Sequence, residues 1–220
     1  MQTINLVTPR GSILLTKQFI NSLSETTAKM FKQALKYLEA ESVVDEIQEA
    51  LDYLKERNNE SDYFRLRLLE SGIITTYGII FNDGLNLSHK NLIPQEGREF
   101  HKWLMELRNR YCCHSDLYIT SSFNMLHIDK THGLMLSAGQ YMRVRPLSNE
   151  NIDTFKLHVD IIKRNLTKQI RKLETWLIRE ITSSDWLMLK AQAGMNDSEK
   201  LNIHLEQQNN LRENCMMGKG

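Results

Sequence analysis

Prolines number only three in 220 residues, and ten glycines complete a short supply of helix breakers. Long helices therefore meet few interruptions. Cysteine is too rare for a disulfide-built fold: there are three, and two of them, Cys112 and Cys113, are neighbours whose bonding would strain the peptide between them. Free thiols suit a reducing compartment, so the expected location is the cytoplasm. An excess of one charge is missing as well. Lys and Arg total 28 against 27 Asp and Glu, a formal net charge of +1. That balance argues against an extended basic surface that coats nucleic acid, and leaves room for a local phosphate site.

Other absences narrow the field further. No apolar run approaches the ~20 residues of a membrane span, so no membrane partner is expected. The opening "MQTINLVTPRGSILLTKQF" lacks the charged start and apolar core of a signal peptide. Nothing matches the phosphate loops G-x-x-x-x-G-K-[ST] or G-x-G-x-x-G, and serine hydrolase and kinase signatures are missing. No internal repeat suggests a solenoid.

What is present is ordinary for a globular chain: 41% apolar and 25% charged residues, enough for a core without staples. The residues up to "TPRGS" read as an irregular or partly extended lead-in. From Lys17 to about Ala40, Ile20, Leu23, Thr27, Phe31, Ala34 and Leu38 recur at helical spacing, with "SETT" read as a break or restart. "ESVVDEIQEALDYLKERNN" is a clearer amphipathic helix. The segment from Tyr63 to Phe81 is the most apolar and is predicted as a central buried helix. A further helix begins near Pro94 or Gln95. Residues of about 117–147 alternate and carry Gly133 and Gly139, which predicts a small β-hairpin or meander. Ser148 and Asn149 then cap a long amphipathic helix running through Ile152, Phe155, Val159, Ile162, Leu166, Ile170, Leu173 and Leu177. The expectation is mainly α: a helical bundle over residues 1–182 with a β insertion before its last long helix. Residues 183–220 are expected to form a short helix and then a flexible tail.

One cluster carries the chemistry. In "EFHKWLMELRNRYCCHSDLYI", Phe100, Trp103, Leu104, Leu107 and Tyr111 form an apolar stripe. Against it stand Arg108, Asn109, Arg110, His114, Ser115 and Asp116. Arginine offers a rigid donor fork that matches phosphate, histidine moves protons near neutral pH, and asparagine both donates and accepts. Such groups suffice for metal-free phosphodiester cleavage: a base for the ribose 2′-hydroxyl, an acid for the leaving oxygen, and a cation for the charge growing at phosphorus. Arg110 and His114 share a helical face, whereas Arg108 and His114 lie roughly 120° apart on an ideal helix. Spacing alone does not choose between the two arginines.

"LRNRYCCHSD" resembles the signature of the HEPN superfamily, the higher eukaryote and prokaryote nucleotide-binding helical domains. That signature is an Arg, a polar residue that is often Asn, and a His after four to six intervening residues. Arg108, Asn109 and His114 match it, and Ser115 and Asp116 resemble the ending common in bacterial members. The order of helices from about Asp45 to Ile181 is similar to the HEPN bundle. The resemblance implies a metal-independent endoribonuclease, a homodimer in which two motifs meet at a cleft. On that reading Arg108 contacts the scissile phosphate, His114 is the general base or acid, and Asn109 orients the phosphate or the other side chains. Arg110, Ser115 and Asp116 are weaker substrate-binding candidates. The family also implies toxin–antitoxin or anti-phage roles with an antitoxin-like protein partner. Other members are non-catalytic modules that bind a nucleotide or a protein. No cofactor or metal is implied. Cys112 and Cys113 depart from the usual small or aliphatic residues.

Each feature also has a plainer use. Basic residues at a helix C-terminus stabilise the macrodipole and cap carbonyls, which alone accounts for Arg108, Arg110 and His114. Consecutive "CCH" is poor metal spacing, even with His127 and His132 nearby in sequence, so the cysteines read as small hydrophobes. His101 reads as a partly exposed helix residue, and His89, His158 and His204 have no companions that suggest chemistry. "KRNLTKQIRK" around Arg164 reads as the solvated face of the last long helix, with an RNA groove as the minor option. Tyr141, Arg143 and Arg145 alternate along a predicted strand.

Overall fold

The computed structural model describes residues 3–57, 63–109, 122–129, 133–140 and 147–206. Within them the scarcity of breakers is realised as two 32-residue helices, α2 (Glu25–Glu56) and α6 (Asn149–Glu180). The fold is mainly helical, as the periodicity predicts. The chain divides into two compact units, Met1–Asp45 with Ile161–Gly220, and Glu46–Asp160. The long helices contribute one part to each.

In the first unit the extended alternative for the lead-in holds, and its strands are paired. The lead-in is an antiparallel hairpin, β1 (Thr3–Thr8) and β2 (Gly11–Thr16), with Thr3 opposite Thr16 and Thr8 opposite Gly11. Pro9 and Arg10 make the connection. The Thr8 hydroxyl donates to the Gly11 carbonyl at 2.6 Å and accepts from the Arg10 N–H at 3.2 Å. Gly11 has φ +123°, a conformation that residues with side chains rarely adopt. Ile4 and Leu6 alternate into the core, the period-2 signal of a half-buried strand.

Helix α1 (Lys17–Ser22) starts on Thr16, whose hydroxyl accepts from the Phe19 N–H. The break at "SETT" is real: α2 restarts at Glu25 and then runs past Ala40 without a stop. Ile20, Phe31, Ala34, Leu38, Leu177 and Leu189 join Ile4, Leu6 and Leu15 in one core. Helix α7 (Ser183–Gln192) fastens the start of α2 through the buried Asp185. Its carboxylate accepts from the Ser24 N–H at 2.9 Å, from the Thr27 hydroxyl at 2.7 Å and from the Ser24 hydroxyl. The residues beyond α7 bring a correction. Leu201, Ile203 and Leu205 are buried, and β5 (His204–Glu206) pairs with β1, Leu6 opposite Leu205. The result is a three-stranded antiparallel sheet in the order β2-β1-β5. The polar C-terminal sequence conceals this strand because its partner lies almost 200 residues away.

In the second unit, α3 (Tyr63–Gly78) is followed by a π-helical turn, Ile79–Asp83. Short helix α4 (His89–Leu92) and a 3₁₀ turn (Gln95–Gly97) lead into α5 (Arg98–Leu107). Strands β3 (Ser122–Asp129) and β4 (Gly133–Gln140) then form an antiparallel pair in the span read as a hairpin, with Ser122 opposite Gln140. The first turn of α6 is capped by the Ser148 hydroxyl, which accepts from the Asn151 N–H at 3.2 Å. Ile47, Leu51, Leu54, Ile73, Ile74, Tyr77, Leu104, Ile152, Phe155 and Val159 are buried. Lys55 pairs with Asp153 and Lys156 with Asp52, joining α2 to α6 at the surface. No helix among the described residues is long and apolar enough to cross a membrane.

Candidate functional site

Helix α5 begins at Arg98, after the 3₁₀ turn that follows Pro94 and ends on Gly97, and runs to Leu107 with no Gly or Pro to interrupt it. Its buried side is narrower than the apolar stripe suggests. Leu104 is buried completely, while Phe100, Trp103 and Leu107 are half-buried. His101, Leu104 and Arg108 stand at i, i+3 and i+7, one face of the helix. That face meets α3.

The meeting with α3 depends on a glycine. A Cβ at Gly78 would overlap the Cδ and Nε atoms of Arg108, so the arginine stem lies flat on α3 only because residue 78 has no side chain. Gly78 itself has ordinary helical geometry, φ −62° and ψ −27°. At the far end of the stem, Arg108 Nη1 donates to Asn109 Oδ1 at 3.1 Å. Arg108 is half-buried and Asn109 is exposed. The first two residues of the predicted triad therefore form a guanidinium–amide pair at the end of α5, with the arginine seated rather than free to swing. Arg110, His114, Ser115 and Asp116 lie outside the described residues, as do Cys112 and Cys113. Tyr141, Arg143 and Arg145 do too.

A second cluster was missed by sequence reasoning, which treated His101, His89 and His158 as unrelated. The Tyr77 hydroxyl sits 2.7 Å from His101 Nδ1 and 2.9 Å from His158 Nε2, tying α3, α5 and α6 together. A phenol has one proton to donate, so with each ring bonded through a single N–H, one imidazole accepts and the other donates. His89 stacks on His101 with ring centroids 5.3 Å apart, and Phe81 meets His101 edge-on at 4.7 Å. Phe100 and Phe155 close the other side around His158 and Tyr77. Gly97 leaves room for the His158 ring, since a Cβ there would stand 3.2 Å from His158 Nδ1.

Burial, and then the neighbouring His89, push the His101 pKa down to about 4. Burial, and then His101, do the same for His158, also to about 4. Burial raises the Tyr77 phenol well above its usual range. All three groups are thus neutral at physiological pH, and the network orients helices without carrying charge. Arg108 lies seven positions beyond His101, about 10 Å along the helix axis. The available sequence signal was position: Tyr77 and His158 fall on apolar helical faces, and a buried polar group requires a partner.

Glu70 is also completely buried, on the same α3 face as Tyr77 seven residues later. Nothing in the motif pointed to it. Among the described residues no group of three or more His, Cys, Asp or Glu side chains is arranged to hold a metal ion. No known family model, curated protein or solved structure gives a significant match to this chain.

Proposed function

We propose that this chain is an HEPN-like, metal-independent endoribonuclease acting as a homodimer, with Arg108, Asn109 and His114 of two copies lining one cleft. The observation that supports the reading is the Arg108–Asn109 pair, seated on Gly78 and linked at 3.1 Å. A preoriented guanidinium is the group that phosphoryl chemistry needs, because stabilising charge at the transition state depends on donors already in position.

The proposed reaction is internal transfer. A base takes the proton from the ribose 2′-hydroxyl, and that oxygen forms a bond to phosphorus. The bond to the 5′-oxygen breaks and an acid protonates the leaving group. The products are a 2′,3′-cyclic phosphate and a 5′-hydroxyl. His114 supplies proton transfer, Arg108 binds the phosphate and Asn109 holds Arg108 in line. A toxin or anti-phage component restrained by an antitoxin-like protein is the setting that suits such an activity.

The test is RNA cleavage in EDTA with detection of the cyclic phosphate. Arg108→Ala and His114→Ala must each abolish cleavage while leaving the circular dichroism spectrum intact. Normal cutting by either variant overturns the assignment. A second reading, a non-catalytic dimeric module that binds a nucleotide or protein through the same residues, draws support from the formal charge of +1. It requires no turnover on any RNA and ligand binding that depends on Arg108 or Asn109.

A further inference from the structure

Helix α6 uses its cations in two different ways. Lys156 and Lys163 are paired across to α2, with Asp52 and Asp45. From Lys168 onward the pairing stops. Among the described residues no carboxylate lies within ion-pair distance of Lys168, Arg171 or Lys172. Arg179 has only a 3.6 Å contact with its chain neighbour Glu180.

These cations fall on one side of the helix. At 3.6 residues per turn, Lys168, Arg171, Lys172, Thr175, Trp176 and Arg179 occupy an arc of about 140°. All six are exposed, and Trp176 keeps 37% of its surface open. The acids on either side are turned to other uses. Glu174 accepts from the Leu205 N–H at 2.9 Å, and Glu180 faces Arg179. An open cavity of about 350 Å³ runs along Arg171, Lys172, Thr175, Trp176 and Arg179.

We propose that this face of α6 binds single-stranded RNA, with the cations along the phosphates and a base stacked on Trp176. This rests on the ribonuclease reading for the choice of RNA. Residues four apart on a helix, such as Arg171, Thr175 and Arg179, are spaced by about 6 Å, close to the repeat of an extended strand's phosphates. An indole at the edge of a row of cations is the arrangement that holds unpaired bases without reading their sequence. A duplex has no open base face to offer, so it gains only the phosphate contacts.

The probe is a fluorescein-labelled 2′-O-methyl single strand of mixed sequence, which binds but has no 2′-hydroxyl to react. Anisotropy titrations should give an affinity that falls with salt as several phosphates are neutralised, about 0.7 in log–log slope for each contact. The triple variant Lys168→Glu, Arg171→Glu, Lys172→Glu should lose at least tenfold in affinity with an unchanged circular dichroism spectrum. Trp176→Ala should lose about tenfold on the single strand and little on a duplex. Unchanged binding in the triple variant, or preference for an acidic peptide over the single strand, overturns the proposal. Binding without cleavage of unmodified RNA leaves this proposal standing and removes the ribonuclease. Cleavage unaffected by the triple variant does the opposite.

Discussion

Acid should loosen the second unit through a single buried imidazole. His158 is 4% exposed and its pKa is lowered from 6.5 to about 4. The sign follows from which state holds the proton. Above pH 6.5 both folded and unfolded chains carry a neutral ring, and the stabilisation is complete. Between 6.5 and 4 the unfolded chain binds the proton and the folded one does not, so stability is lost as the pH falls. Below 4 both are protonated and the loss levels off. The full shift corresponds to about 3 kcal/mol at 1.36 kcal/mol per pKa unit. At pH 5 the unfolded ring is almost fully protonated and the folded ring about one-tenth, which puts the loss near 2 kcal/mol relative to pH 7.5. His101 adds to this in the same direction, and by less, because it is only half-buried.

The assay is urea unfolding at pH 7.5 and pH 5.0 for the native chain and for His158→Gln. Glutamine keeps an N–H for Tyr77 and removes the titration. Carboxylates titrate in both proteins and cancel in the comparison. The variant should lose about 2 kcal/mol less than the native chain on moving between the two pH values. A difference below about 0.5 kcal/mol, or an imidazole NMR titration of His158 centred near its ordinary value, would refute the buried-network account.

Other perturbations separate packing from chemistry. Gly78→Ala should cost about 1–2 kcal/mol, since its Cβ would overlap Arg108 Cδ and Nε and displacing the seated arginine outweighs the gain of up to about 1 kcal/mol that alanine has over glycine in a helix. It should also reduce RNA cleavage at least tenfold by pushing Arg108 off its seat; cleavage at the native rate dissociates that seat from the site. Tyr77→Phe leaves two imidazoles without their shared partner and should cost about 1–3 kcal/mol in urea unfolding. A neutral result means the hydroxyl bonds contribute nothing net. Asp185→Ala removes the carboxylate that holds Ser24 and Thr27, and should cost about 2–3 kcal/mol, read as a lower thermal midpoint. Burial raises the Asp185 pKa, and the hydrogen bonds from Ser24, Thr27 and the Thr182 side chain outweigh it and hold it below the usual value. Its contribution is therefore present at neutral pH and fades as the pH falls below the ordinary carboxylate range.

Long-range pairing explains most of what the sequence concealed. The helices α3, α5 and α6 were legible because an amphipathic helix writes its period within a dozen residues. The strand pairing of the first unit was not. "TINLVT" and "GSILLT" are short, and the third strand, "HLE", acquires meaning only beside β1. The division into two units was hidden too, because it falls inside α2 and α6, where composition does not change.

The sequence by itself determined the mainly helical character, through few breakers and sustained apolar periodicity, and it singled out Arg108 and Asn109 as residues worth testing. Only the tertiary structure decided what those residues rest on. Gly78 is thirty positions from Arg108, and no local pattern says that its missing side chain is the arginine's seat. The same holds for Tyr77, His101 and His158, which read singly as helix residues and become one neutral hydrogen-bonded network when three helices meet. The physical reason is that periodicity records which face of an element is buried. Which polar groups share that burial depends on contacts that only the folded chain supplies.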